Sequence, residues 1–294
     1  MHQKKCYVNK GYRGAIIMEI TGPMIEFLPL LLLAIGIGTM GGFLSGLLGI
    51  GGGFIYVPAL FFAFTSLGFE ADYAMHIAVG TSLAIVAPTV MSSALCHYKR
   101  GGLETTIFKR WALFLMSGVG CGVLLAAYLS ATHMIIIFTV IALSVAIYMG
   151  FLKDPYREDA PIKGKKRHYP IATGIGFVAS MMGIGGSIIT VPTMTFLNVP
   201  MQKAIGTAAA MAVLTAMTGV IGFMLVGTAH ANALPLTIGY VNIFAALTVV
   251  PISIMMAPQG CKLAHKLPRK HLRRVFAILI ACVAMKMLTD VQVL

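Results

Sequence analysis

Seven stretches of this chain, residues 25–48, 73–96, 111–129, 133–152, 204–226, 236–257 and 275–288, are strongly apolar and carry a charge at most near an edge. Most approach twenty residues, enough for a helix to cross a hydrocarbon slab of roughly 30 Å. Lipid is therefore the solvent this sequence is written for. Of the 294 residues 58% are hydrophobic and 11% charged, with a mean hydropathy of +0.89, far from what a soluble core needs. The expected fold class is all-α, a polytopic membrane protein.

The net charge of +13 is not a nucleic-acid footprint, because the lysines and arginines fall in loops between apolar spans, where they act as topology signals. No nucleic-acid partner is expected; the lipid bilayer is. Cys6, Cys96, Cys121, Cys261 and Cys282 have no C-x-x-C spacing, so they suggest neither a zinc site nor a disulfide framework and read as small apolar residues. The N-terminus resembles a signal peptide, yet 25–48 is too long for an h-region and reads as retained. Lys4, Lys5, Lys10 and Arg13 precede Met18 and Met24, so residues 1–24 read as an extension whose true start is one of those methionines. A mature peptide containing Lys4 or Lys5 refutes that reading.

Compared with itself, the chain repeats. G-F-L-S-G-L-L-G-I-G-G-G-F-I-Y-V-P at 42–58 aligns without gaps with G-F-V-A-S-M-M-G-I-G-G-S-I-I-T-V-P at 176–192, and A-V-G-T-S-L-A from Ala78 with A-I-G-T-A-A-A from Ala204. A period of about 130 residues is too long for a solenoid and marks duplication of a whole membrane unit, as in secondary transporters. The organisation expected is a first membrane repeat at 25–152, a cytoplasmic linker at 153–168 and a second repeat at 169–294.

Segments 97–110, 153–167 and 262–274 are strongly basic, which puts all three in the cytoplasm. For the last two to share a side, the glycine segment 169–197 must return to the side it started from. Its arms, 171–182 and 188–197, reach about 15 to 18 Å each at helical rise, so they form a hairpin whose arms meet near the midplane. A first copy folded likewise leaves Glu70 and Asp72 outside and Lys203 inside, which makes the repeats inverted. A parallel arrangement of four spans plus four is the competing expectation, since 25–48 could span alone.

Gly49, Gly51, Gly52 and Gly53, with Gly183, Gly185 and Gly186 and the adjoining Ser187, sit where each hairpin bends. Broken backbone at membrane depth is tolerated where it is buried or lines a wet cavity, and the next short helix points its positive end there. An anion is the natural occupant. The competing reading is close helix packing, which also fits Gly42 with Gly46 and Gly118 with Gly122. Gly80, Thr81 and Ser82, matched by Gly206 and Thr207, could donate hydroxyls to that anion or satisfy backbone carbonyls. Lys203 could attract the anion or snorkel to the interface, as Lys286 does in the bland reading; His76 reads as interfacial.

Apart from Glu26 near an edge, no carboxylate falls within an apolar span, and there is no Walker A sequence, Ser/His/Asp set or H-E-x-x-H. No enzyme, cofactor or metal is expected. At the paired G-I-G-G segments, the G-T-S block and A-H-K-L-P-R-K-H-L-R-R-V-F at 264–276, the chain resembles the TauE/SafE sulfite exporter family nearly throughout. That resemblance implies transport of sulfite, sulfonates and related sulfur anions. The expected function is export of a small anion across the inner membrane by alternating access, with a homodimer as a compatible assembly. The rivals are an anion channel, an uptake permease for a sulfur-containing anion, and a membrane assembly factor without flux.

Overall fold

The computed structural model describes residues 31–49, 51–151, 168–227, 236–267 and 269–291. The expectations about residues 1–24, Glu26 and nearly all of the linker 153–168 lie outside them. Helices α1 (Leu31–Leu48), α2 (Gly53–Ser66), α3 (Ala71–Lys99), α4 (Thr105–Ala126) and α5 (Ala131–Phe151) come first. After the linker come α6 (His168–Met182), α7 (Ser187–Phe196), α8 (Met201–Val226), α9 (Ile243–Ala264) and α10 (Arg269–Val291). Six of them, α1, α3, α4, α5, α8 and α9, are long and apolar enough to cross a membrane. The chain is an all-α, multi-pass membrane protein. Its outer wall agrees: Leu113, Leu225, Leu247 and Met255 are each at least 65% exposed, which suits lipid and not water.

The helices pair across the halves. α1 runs along α9 as α6 runs along α4, α3 lies against α8, and α5 against α10. Gly42 and Gly46 meet the carbonyls of Ser253 and Ala257, while Gly118 and Gly122 meet those of Thr173 and Phe177. Small residues here let two backbones touch, so the packing reading holds for both glycine pairs.

Side-chain links define the two ends of the bundle. At one, Glu104 N, before α4, donates to Thr207 Oγ1 in the first turns of α8 (2.8 Å), and Cys96 near the end of α3 is disulfide-bonded to Cys261 near the end of α9. At the other, a His76 ring nitrogen in the first turns of α3 is 2.9 Å from the carbonyl of Ala126, which ends α4, and Ala131 N donates to Asp72 Oδ1 (2.5 Å). The α3 and α8 helices thus start from opposite ends.

Two expectations need correction. The span at 236–257 is shifted: α9 begins at Ile243 and runs to Ala264. Residues 236–242 are apolar enough to count as span, but positive φ at Leu236 (58°) and Gly239 (59°) folds them into a two-stranded hairpin, β1 (Thr237–Ile238) and β2 (Val241–Asn242). Asn242 then caps α9, its Oδ1 accepting from Ala245 N at 2.8 Å. The cysteines are also not all inert. Cys121 and Cys282 are exposed free thiols, whereas Cys96 and Cys261, separated by 165 residues, are joined.

Candidate functional site

Each half contains one helix break, and the two breaks have the same backbone. Gly49, Gly51 and Gly52 have φ of 67°, 83° and 73°; Gly183, Gly185 and Gly186 have 67°, 72° and 83°. All six lie in the left-handed region that glycine enters without steric cost, so the chain can stop one helix and start the next within four residues, about one helical turn. The breaks touch. A Cβ placed on Gly53 would stand 2.5 Å from the carbonyl oxygen of Gly183 and 2.6 Å from Ile184 Cα.

This contact brings together the starts of α2 and α7, at Gly53 and Ser187. The first amides of any helix lack intrahelical acceptors, and the aligned peptide dipoles add partial positive charge there. Two such ends converge inside the bundle, with Gly51, Gly52, Gly53, Gly183, Gly185, Gly186 and Ser187 all buried. Ser82 Oγ donates to Gly183 O at 2.8 Å, and Ser187 Oγ donates to Ala208 O at 3.1 Å.

The G-T turns reach the breaks crosswise. Gly49 packs on the carbonyl of Ile205 in α8, and Gly183 on Val79 in α3, each next to the other half's G-T pair. The threonine hydroxyls there already have partners. Asn242 N donates to Thr81 Oγ1 (2.9 Å); Thr207 Oγ1 accepts from Glu104 N and donates to Lys203 O (2.7 Å). Gly80 and Gly206 let Tyr240 O and Gly102 O come close. Lys203, two residues before Ile205, has half its side chain exposed, with Nζ 3.2 Å from Glu104 Oε2.

Sequence reasoning passed over a polar wall beside the first break. Ser45, one turn before Gly49, is fully buried, and its Oγ has no hydrogen-bond partner among the described residues. Tyr56 OH, also fully buried, donates to Ser253 Oγ (2.9 Å), which donates to Gly38 O (3.1 Å). A signal was available: the repeat alignment sets Ala179 against Ser45 and Thr190 against Tyr56, so the second copy does not repeat these two hydroxyl positions in kind.

Comparison with known proteins places the chain in a family. Residues 34–287 match the family model described as sulfite exporter TauE/SafE. A probable membrane transporter protein of Haemophilus influenzae is 28% identical over 87% of this chain and 97% of its own length. One from Methanocaldococcus jannaschii is 29% identical over 90% of the chain and 97% of its length; another, from Bacillus subtilis, is 28% identical over 84% and 94%. No solved structure matches the chain.

Proposed function

Because the chain belongs to the TauE/SafE family of membrane transporters, we propose that it exports sulfite or a related sulfur oxyanion from the cytoplasm across the inner membrane by alternating access. One observation carries this reading: the amide-bearing starts of α2 and α7 meet at the glycine breaks, Gly53 against Gly183. Converging positive helix ends in a lipid-surrounded interior suit a small anion better than a cation or a neutral solute. The glycines of both breaks with Ser82, Ser187 and the hydroxyl of Ser45 form the binding surface. Gly80, Thr81, Gly206 and Thr207 hold the breaks in place, and Lys203 acts at the entrance.

Tight packing at the breaks supports a moving mechanism. A ligand can reach amides packed this closely when the two halves part, and opposite starting ends for α3 and α8 suit inverted copies that rock about a shared site. Direction follows from charge. Each negative charge leaving the cell gains about 2.3 kcal/mol per 100 mV of inside-negative potential, so export needs no coupling ion. The acidic side chains Glu70, Asp72 and Glu104 sit at helix ends, away from the breaks, which suits uncoupled export.

The test is flux in proteoliposomes of the purified chain, with radiolabelled sulfite, sulfate and a sulfonate under potentials imposed in each direction. Saturable movement of a sulfur anion toward the positive side is expected. Non-saturating current identifies a channel instead. Absence of flux for all three anions overturns the transport of sulfur oxyanions.

A further inference from the structure

The basic end of the bundle holds a cluster that anion transport does not use. His97, on the last turn of α3, lies with Cys261 and His265 of the α9 terminus so that one ligand atom from each falls within 4.8 Å of the others. His97 Nδ1 is 3.2 Å from His265 Nε2, and His97 Nε2 is 3.0 Å from the carbonyl oxygen of Gly46 on α1. A carbonyl accepts, so Nε2–H donates and the lone pair of Nδ1 faces His265. Anchoring one ring nitrogen on a backbone carbonyl while the other faces inward is how metal-binding histidines are held. His97 and Cys261 are buried, while His265 is half-buried and leaves a way in.

Cys261 has a second partner, since its sulfur is bonded to that of Cys96. Cys96 and Cys261 immediately precede the basic segments 97–110 and 262–274, which positive-inside topology puts in the cytoplasm, where thiol pools keep most cysteines reduced. Reduced, Cys261 completes a set of two imidazoles and one thiolate, the soft-to-borderline donors that zinc-class ions prefer. We propose that His97, Cys261 and His265 bind one zinc-class divalent cation, and that Cys96 competes with the metal for the Cys261 sulfur. An external dithiol reduces the Cys96–Cys261 bond, leaving as its own disulfide and giving the chain two thiols. Metal binding then releases the Cys261 proton, with water filling the open coordination position. Either state ties α3 to α9, one by a covalent bond and the other through the ion.

The experiment uses the full chain in detergent, with Cys6, Cys96, Cys121 and Cys282 changed to Ser. Cys261 is then the sole thiol and no disulfide can form within the chain. Titration with Co²⁺ should give one equivalent per chain, thiolate-to-cobalt charge-transfer absorption, and displacement by Zn²⁺. His265→Ala, at a half-buried position, should weaken binding at least about tenfold, the lower end of what even a supporting residue contributes. In the otherwise native chain, oxidation should abolish Co²⁺ binding and reduction restore it. Monodisperse elution reports folding for each variant. Folded protein without thiolate-to-cobalt absorption, or with affinity unchanged by His265→Ala, overturns the site. No readout depends on anion flux, so the outcome is separate from the transport assignment.

Discussion

The two glycine breaks share a backbone and differ in what surrounds it. Their φ angles agree within about 11° position by position, and each packs on the G-T turn of the opposite half. The first break is bordered by Ser45, Tyr56 and Ser253. At matching places the second has Ala179 and Thr190, with Gly176 meeting the carbonyl of Leu115 where Gly42 meets that of Ser253, and Thr190 Oγ1 satisfies the carbonyl of Gly186 within its own turn (2.9 Å). Ser82 donates into the second break, whereas its counterpart Ala208 cannot donate into the first. Shared backbone with unequal walls separates two features: the glycines make the bend, while Ser45 and Tyr56 of the first half and Ser253 of α9 put hydroxyls beside the first break only.

The sharpest way to break this equivalence is to add one methyl group to each bend. Gly49→Ala places a Cβ 2.6 Å from Ile205 O, and Gly183→Ala places one 2.8 Å from Val57 Cγ2 and 3.1 Å from Val79 O. Both glycines have φ of 67°. Left-handed backbone costs a non-glycine residue about 1–3 kcal/mol, and the contacts add to it. Each variant should lose several degrees of thermal stability in detergent and most of its flux. Similar losses sustain the equivalence; an unperturbed Gly183→Ala alongside a crippled Gly49→Ala would destroy it.

A smaller effect tests the polar wall. A buried hydroxyl without a partner costs stability, so Ser45→Ala should leave the unfolding temperature unchanged or raise it, by the order of 1 kcal/mol. If the hydroxyl binds the anion, the same variant raises the KM for sulfite severalfold, a split that pure packing does not produce. Tyr56→Phe removes the bond to Ser253 and should cost about 1 kcal/mol. Thr190→Val, on the other wall, should change flux less than either. Equal flux losses on the two sides would mean that the walls do not differ in function.

How much of this was legible beforehand depends on the distance between partners. The bends at Gly49 and Gly183 could be read because the cause is local: a cluster of glycines written twice, the second time between arms too short to span. The arms expected at 171–182 and 188–197 lie within α6 and α7 or one residue beyond. Thr81 and Thr207 could not be assigned, because the amides they accept, from Asn242 and Glu104, are 161 and 103 residues away. Cys96 and Cys261 were unreadable for the same reason. The start of α9 was misplaced because hydropathy does not register a hairpin, while Gly239 and Asn242 direct one. Ser45 was not legible because a repeat marks what its copies share, and at this position the second copy has Ala179.

The weakest expected effect concerns Lys203, which has no charged counterpart in the first half, where the repeat sets Ile77. Its ammonium pairs with Glu104 at 3.2 Å, the two side chains 47% and 20% exposed. Exposed pairs of this kind contribute about 0–1 kcal/mol, so Lys203→Gln should barely move the unfolding temperature. An entrance role predicts something else: a lysine that concentrates anions at the mouth acts through a field that salt screens, with a Debye length of about 8 Å at physiological ionic strength. Lys203→Gln should therefore lower sulfite uptake into inside-out vesicles modestly at low salt and not at all at high salt. A salt-independent loss would move Lys203 from the entrance to the binding surface, and no loss at any salt would leave the pair with Glu104 as its whole role.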